Sequence, residues 1–492
     1  MVRYQLRYSP ACGQDGSRPC HYKLHDFGGP SAIGSGEVSS GASACYTDGV
    51  IADRVVSVPL VEPDAEGVAP DLRRQQQERR LRELVDRLVA GGGLQAARLA
   101  DAGVASGADV SLEALARLPM VTKRDLWAHY PHGLRAVPTE DVVCVHGSSG
   151  TGGRPTLVPY TAHDVDIWAR VMARALGGAG ATRGSIVHNA YGYGLFTGGL
   201  GVHHGGMRLG ATVLPMSGGM TERQIRMLVD LRPDILTCTP SYAIYLGEAM
   251  RAAGVEVGSL RAGLFGAEPW TNEMRAQIER LLGLRALDIY GLSEIIGPGV
   301  ACESLDSEGM LNVAEDHFYV EAVDADGNPV PDGTPGELVF TTLTKTGMPL
   351  LRYRSGDVAV LAGPVPGAPR TLRRMSKLLG RTDDMLVVRG VNVFPTEIEA
   401  VLLADERVSP HYLVVEDRRD AARPELRIAV EPAAAGDDER LAADLGGALR
   451  ERLGITCVVR VLAQGSVPRT EVGKARRFAR WTEGEAPLAG LG

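Results

Sequence analysis

The sequence predicts an α/β protein: a large N-terminal domain of layered sheets flanked by helices, followed by a small α+β C-terminal domain. Two observations carry this. From Ser185 to Cys238, short apolar runs alternate with a helical stretch and with turns, the pattern of α/β layers with largely parallel sheets. A Gly-rich stretch, Gly380-Arg381-Thr382-Asp383-Asp384-Met385-Leu386-Val387-Val388-Arg389-Gly390, then marks a boundary, and the roughly 110 residues after it suit one small domain. The expected divisions are 1–68 as an appended or poorly ordered leader, 69–382 as the large domain and 383–492 as the small one.

The leader is rich in Gly, Ser and Pro and shows no sustained period. Its Cys12, Cys20, His21 and Cys45 lack a C-x-x-C pair, which argues against a metal there. A helix is expected from Leu72, with Leu81, Leu84, Val85 and Leu88 on one face and Gly91-Gly92-Gly93 ending it. Val142-Val143-Cys144-Val145 reads as a short strand. Ser185–Asn189, Ala211–Pro215, Asp234–Cys238 and Ala262–Phe265 read as further strands, and Met220–Leu231 as a helix. Gly336–Thr342 alternates as a strand. Beyond the boundary, Phe394–Glu399 looks like a capped helix start, with Thr396 as N-cap and Glu399 as its partner.

Size and composition exclude several classes. At 492 residues the chain needs more than one core. A net charge of −8 gives no reason to expect nucleic acid or an anionic membrane surface. No apolar run reaches the ~18–20 residues of a membrane span, and no N-terminal signal segment is evident. Seven scattered cysteines do not make a disulfide framework and suit a reducing, cytoplasmic setting. Cys238, Cys302 and His317 are ligand types for zinc, although free buried cysteine is the commoner state.

The chemistry centres on Gly147-Ser148-Ser149-Gly150-Thr151-Gly152-Gly153-Arg154-Pro155-Thr156, directly after the first strand. Gly150, Gly152 and Gly153 allow a tight turn and close approach to an anion. Ser148, Ser149, Thr151 and Thr156 add hydroxyls, and Arg154 a fixed charge; together these make a phosphate cradle. It is not the ordinary P-loop, because Gly153 stands where that motif wants lysine. A kinase or P-loop ATPase is therefore disfavoured. Asn189–Gly199 follows a strand end and holds Tyr191, Tyr193 and Phe196 among glycines, a composition suited to walling an apolar ligand. Asp357, just after a glycine turn in Arg352-Tyr353-Arg354-Ser355-Gly356-Asp357, can accept two ribose hydroxyls; an ion pair with Arg354 is the alternative.

The cradle, together with Gly266-Ala267-Glu268-Pro269-Trp270, Asp288-Ile289-Tyr290-Gly291-Leu292-Ser293-Glu294, Arg352–Asp357, Gly380–Gly390 and Val467-Pro468-Arg469-Thr470-Glu471-Val472-Gly473-Lys474, resembles the adenylate-forming enzymes. Within them the chain is most similar to phenylacetate–CoA ligases, from Leu72 to Phe478, with Arg154 where those usually carry lysine. The resemblance implies ATP, Mg²⁺ and coenzyme A. It implies that Ala267, Glu268, Asp288 and Tyr290 surround adenine, Ser293 faces the α-phosphate, and Glu294 holds Mg²⁺. Asp357 takes the ribose and Arg381 contacts the nucleotide. Tyr191, Phe196, Gly266 and Gly291 line an aryl-acid pocket, Thr151 and Lys474 act in catalysis, and Asp383 is the hinge of a mobile small domain. The expected activity is adenylation of an aryl acid and transfer of the acyl group to CoA. Transfer to a carrier-protein pantetheine thiol is not separated from it by sequence. A silent nucleotide-binding protein is disfavoured because Thr151, Glu294, Asp357, Arg381 and Lys474 are all present. The resemblance also admits a homodimer.

Overall fold

In the computed structural model, residues 58–491 are described, other than 132–133, 149–154, 308, 383–385, 389–390, 420–424, 455 and 471–473. Strands β1 (Val142–Gly147) and β2 (Leu157–Thr161) form an antiparallel pair on either side of the Gly-rich segment. The main sheet of the large domain has twelve strands. Its parallel part is β3 (Ile186–Asn189), β4 (Thr212–Pro215), β5 (Ile235–Cys238), β6 (Ala262–Gly266) and β7 (Arg285–Leu292), in the order 4-3-5-6-7. The rest is antiparallel: β8 (Gly297–Cys302), β9 (Leu311–Val313), β10 (Phe318–Val323), β11 (Pro335–Thr342), β12 (Tyr353–Ala362), β13 (Arg374–Met375) and β14 (Gly380–Arg381). The expectation of largely parallel strands over 185–238 thus holds and extends to residue 292, while the rest of the main sheet is antiparallel. There the chain returns through hairpins and turns, which join antiparallel strands only.

The small domain begins with a hairpin of β15 (Leu386–Val388) and β16 (Val391–Val393). A four-stranded sheet follows, with β17 (Val408–Asp417), β18 (Glu425–Pro432), β19 (Cys457–Val461) and β20 (Phe478–Trp481) in the order 19-18-17-20. Helices Pro395–Leu403 and Asp438–Leu453 accompany it. The helix start differs from the sequence expectation. Its cap is Phe394, whose N–H donates to Glu397 Oε2 at 2.9 Å, while Thr396 lies inside the first turn. Pro395 occupies the first helical position, where a missing N–H costs nothing, and so moves the start upstream of Thr396. Glu399 is left for another role.

The helix Pro70–Gly91 buries Leu81, Leu84, Val85 and Leu88 as its periodicity requires. Part of the segment expected to precede the large domain is folded onto it. Val58 is buried, Glu62 pairs with Arg170 and Arg174, and Glu66 pairs with Arg370 at 3.1 Å.

One buried carboxylate joins several of these pieces. Thr161 caps the helix Ala162–Gly178, and Asp164 closes the capping box, accepting the Thr161 N–H at 3.0 Å. The same carboxylate accepts the N–H groups of Thr346 and Gly347 at 2.7 and 2.8 Å. Neighbouring Lys345 is 1% exposed and donates to the Glu294 carbonyl at 2.9 Å, above the Tyr160 ring. The Tyr160 hydroxyl donates to the Ser293 carbonyl at 3.1 Å. An Asp164→Ala variant strands three buried donors, so it is expected to lose about 3–5 kcal/mol of stability. Denaturant unfolding compared with the parent chain measures this.

Candidate functional site: the nucleotide cleft

The parallel strands end on one side of the sheet, where ligands of α/β proteins gather. Asn189, Cys238, Gly266 and Leu292 are the last residues of β3, β5, β6 and β7. The segments that follow them are those singled out in the sequence. After β6, Ala267 adopts φ 73°, a left-handed conformation unusual for a residue with a Cβ, and turns the chain sharply into Glu268. Gly266 has a packing reason of its own: a Cβ there would lie 2.1 Å from the Ile289 carbonyl oxygen. At Gly291 a Cβ would lie 1.7 Å from that of Gly297.

Ser293 and Glu294 stand against the start of the cradle. Ser293 Oγ donates to the Gly147 carbonyl at 3.3 Å. The Ser148 N–H donates to the Thr156 carbonyl at 3.0 Å, while Ser148 Oγ is enclosed with no hydrogen-bond partner among the described residues. Thr156 itself is buried and receives the Trp127 indole N–H at 3.2 Å. Ser149, Gly150, Thr151, Gly152, Gly153 and Arg154 lie outside the described residues, as does the expected hinge Asp383. Glu294 is 4% exposed, and its carbonyl, not its carboxylate, is the group that Lys345 holds.

Asp357, Tyr290 and Arg381 come together. The Tyr290 hydroxyl donates to Asp357 Oδ2 at 2.7 Å, and the Arg381 guanidinium pairs with Oδ1. Burial, then the Asp357 charge, raises the Tyr290 phenol, so it remains a donor. Arg354, the alternative partner, instead pairs with Glu337. Lys474 enters this group from the small domain. Its ammonium is lowered from the usual lysine value, first by crowding and then by the Arg381 charge, while Glu268 and Asp357 oppose the shift. The residue is nonetheless exposed to water, so screening moderates the effect.

Not every expected residue sits in that group. Asp288 shares the β7 face of Tyr290 but looks toward Trp270 and Lys377, whose ammonium lies 3.6 Å from the Trp270 ring centre. Burial first, then the Glu303 charge, pushes the Asp288 carboxyl up to about 6. Tyr191 is buried, whereas Phe196 is 54% exposed. Glu268 directs its carboxylate at the small domain, accepting the Ala475 N–H at 2.8 Å. Cys238, Cys302 and His317 are not gathered. Cys302 Sγ donates to the Glu303 carbonyl, His317 Nδ1 bonds Thr344, and among the described residues no three ligating side chains form a metal cluster.

Sequence reasoning missed Lys345, Tyr160, Ser241, Glu399 and Arg477. All act through contacts distant in sequence, and no local spacing marks them.

A large domain with a partly parallel sheet, followed by a smaller α+β domain, is the architecture of AMP-binding enzymes. The AMP-binding enzyme family matches residues 40–344, and the C-terminal domain of AMP-binding enzymes matches 390–480. The chain belongs to this family. It is 47% identical to a phenylacetate–coenzyme A ligase of Thermus thermophilus, over 85% of this chain and 98% of that one. With the phenylacetate–coenzyme A ligase of Escherichia coli K12 it shares 48% identity, over 74% and 85%. Among solved structures it resembles 2-hydroxyisobutyryl-CoA ligase in the postadenylation state, with TM-score 0.79 and 27% identity over 87% of this chain and 95% of that one. The same ligase with CoA in its thioesterification state gives a TM-score of 0.64, at 28% identity over the same shares of the chains. No helix among the described residues is long and apolar enough to cross a membrane.

Near the end of β3, His188 is fully buried and its Nε2 bonds Gln224 Oε1 at 2.5 Å, while Nδ1 has no partner among the described residues. A second proton on Nδ1 would be unsatisfied, and burial holds this histidine down to about 4. The unfolded chain therefore takes up a proton between pH ~6.5 and ~4 that the folded chain refuses. Stability is expected to fall as pH is lowered through that window, by up to ~3 kcal/mol from this residue. Unfolding curves at pH 7.5 and 4.5 check this, and His188→Gln should shrink the difference.

Proposed function

We propose that the protein is an AMP-forming ligase that adenylates an aryl carboxylic acid with ATP and passes the acyl group to the thiol of coenzyme A. The observation that carries the reading is the convergence of Lys474 and Glu268, Arg381, Tyr290 and Asp357 on one cleft, in a chain nearly half identical to phenylacetate–coenzyme A ligases.

In the first half-reaction a carboxylate oxygen bonds to the α-phosphorus of ATP, the bond to the β-phosphate bridge breaks, and pyrophosphate leaves. Two anions must meet, so the barrier is largely electrostatic. Lys474, Arg381 and the cradle of residues 148–154 are assigned the positive charge and donors that relieve it. Asp357 is assigned the ribose: a carboxylate can accept two hydroxyls at once, and this one stands with Tyr290 and Arg381. The acid is assigned to the space beside Tyr191, with Phe196, Gly266 and Gly291 on its borders.

Glu294 suits Mg²⁺. It is a buried carboxylate that no hydrogen bond among the described residues engages, next to the phosphate-binding segment. A single carboxylate completed by phosphate oxygens is the donor set Mg²⁺ takes. When bound, the ion would neutralise phosphate charge.

In the second half-reaction the small domain swings, with Asp383 as hinge, and takes Lys474 out of the cleft. A thiol sulfur then bonds to the acyl carbon, the thiol proton is lost, and AMP departs with its oxygen. Lys474→Ala is expected to lower carboxylate-dependent ATP–pyrophosphate exchange by at least ~100-fold. Thioester formation from a supplied aryl-adenylate should be retained. Equal loss of both reactions would refute the assignment. Pyrophosphate release across a panel of phenylacetate, hydroxybenzoates and aminobenzoates is expected to single out one aryl class. Release with none of them would remove the substrate reading.

A further inference from the structure

Of the three residues directly after Lys474, two anchor the segment to the large domain. The Ala475 N–H donates to Glu268 Oε2 at 2.8 Å. Glu268 Oε1 accepts the Ser241 N–H at 2.8 Å and also the Ser241 hydroxyl. Ser241 Oγ in turn accepts from Arg477 Nη2 at 2.9 Å. The contacts therefore close a ring: out of the small domain through Arg477, across Ser241 and Glu268 of the large one, and back through Ala475. The other Nη of Arg477 donates to Glu399 Oε2 at 2.6 Å. Glu399 also accepts the Thr271 N–H of the large domain at 3.0 Å and the Tyr412 hydroxyl.

The placement of the charges matters. Arg477 and Glu399 both belong to the small domain, and their side chains are 16% and 3% exposed. If the small domain leaves, this ion pair leaves intact. Glu268 stays behind with Ser241 as partner. Separation then breaks hydrogen bonds to Ser241, Ala475 and Thr271 but strands no buried charge. Breaking a buried pair would be far costlier. The ring thus holds the lysine in register and remains releasable. A guanidinium fork reaches both partners at once, which an ammonium does less well. Glu268 directly follows Ala267, at the proposed adenine edge, so the nucleotide side and the anchor share one turn of chain.

We propose that Arg477 is the positioning residue that seats Lys474 at the nucleotide, acting through Ser241 and Glu268, and that it thereby favours adenylation over thioester formation. This rests on the adenylating role given to Lys474.

The test uses the full chain carrying Arg477→Met, Arg477→Lys or Ser241→Ala. Arg477→Met is expected to lower carboxylate-dependent ATP–pyrophosphate exchange by about 10- to 100-fold. Ser241→Ala should lower it less, and Arg477→Lys should restore part of it. Thioester formation from supplied aryl-adenylate should stay within about twofold of the parent in all three. Small-angle scattering with ATP present should show a larger radius of gyration for Arg477→Met than for the parent. Exchange by Arg477→Met within about twofold of the parent would overturn the proposal. So would equal loss of both half-reactions in Arg477→Met and Ser241→Ala with unchanged scattering. A parent chain that releases no AMP with any aryl acid would remove the underlying reading instead. The two failures are therefore distinct.

Discussion

The Asp164 carboxylate is the constraint on which the large domain's geometry rests. It is fully buried, yet it serves the first turn of a long helix and the turn at Thr346-Gly347 together. Such a group is stable only where donors surround it, so the elements supplying those donors are locked to one another. Gly347 fits because a Cβ there would come within 2.7 Å of Asp164 Oδ2. Lys345 follows from the same arrangement. Held beside Asp164, its ammonium reaches the Glu294 backbone, and Tyr160 fixes the Ser293 backbone alongside. The position of a proposed metal ligand is thus set by a helix cap several strands away.

The seam between the domains works on the opposite principle. One apolar cluster runs through it: Trp270, Met274 and Ile278 of the large domain pack in the same group as Leu386, Leu402 and Tyr412 of the small one. Such a contact is insensitive to register, whereas the polar ring around Ser241 and Glu268 is not. The apolar part supplies attraction and the polar part supplies position. The arrangement here is nearer to the postadenylation state of 2-hydroxyisobutyryl-CoA ligase than to its thioesterification state, by TM-scores of 0.79 and 0.64.

Much of this was legible in the chain. The parallel strands are visible because each is a short apolar run ended by turn residues, and β3 to β6 fall within a residue or so of their expected bounds. The clustering of Asp357 with Tyr290 and Arg381 is consistent with motif order alone. The antiparallel half was not legible, since β9, β13 and β14 are two or three residues long and take their identity from their partners. The Thr396–Glu399 capping box failed for a similar reason: a local pattern offered one use for Glu399, and the long-range partners Thr271, Tyr412 and Arg477 offered a better one. Tyr191 and Phe196 looked equivalent in sequence, but one is buried and the other 54% exposed, because burial depends on what passes overhead.

The charge distribution of the cleft explains why these features belong together. Arg381 and Lys123 both disfavour the charge on Lys474, and the Asp357 and Glu268 carboxylates favour it. Cations gathered without enough anions are a poor arrangement for a protein at rest. They become a good one when polyphosphate arrives, since each phosphate charge then relieves repulsion already built in. In the proposed mechanism, ligand binding and domain closure would reinforce each other, because this arrangement is the one that brings Lys474 to its like-charged neighbour. In the proposed reaction, loss of pyrophosphate would remove most of that negative charge, restore the repulsion, and leave the contacts around Ser241 to hold the lysine against a weaker pull. In the proposed mechanism the same electrostatics would assemble the site for its first reaction and loosen it for the second.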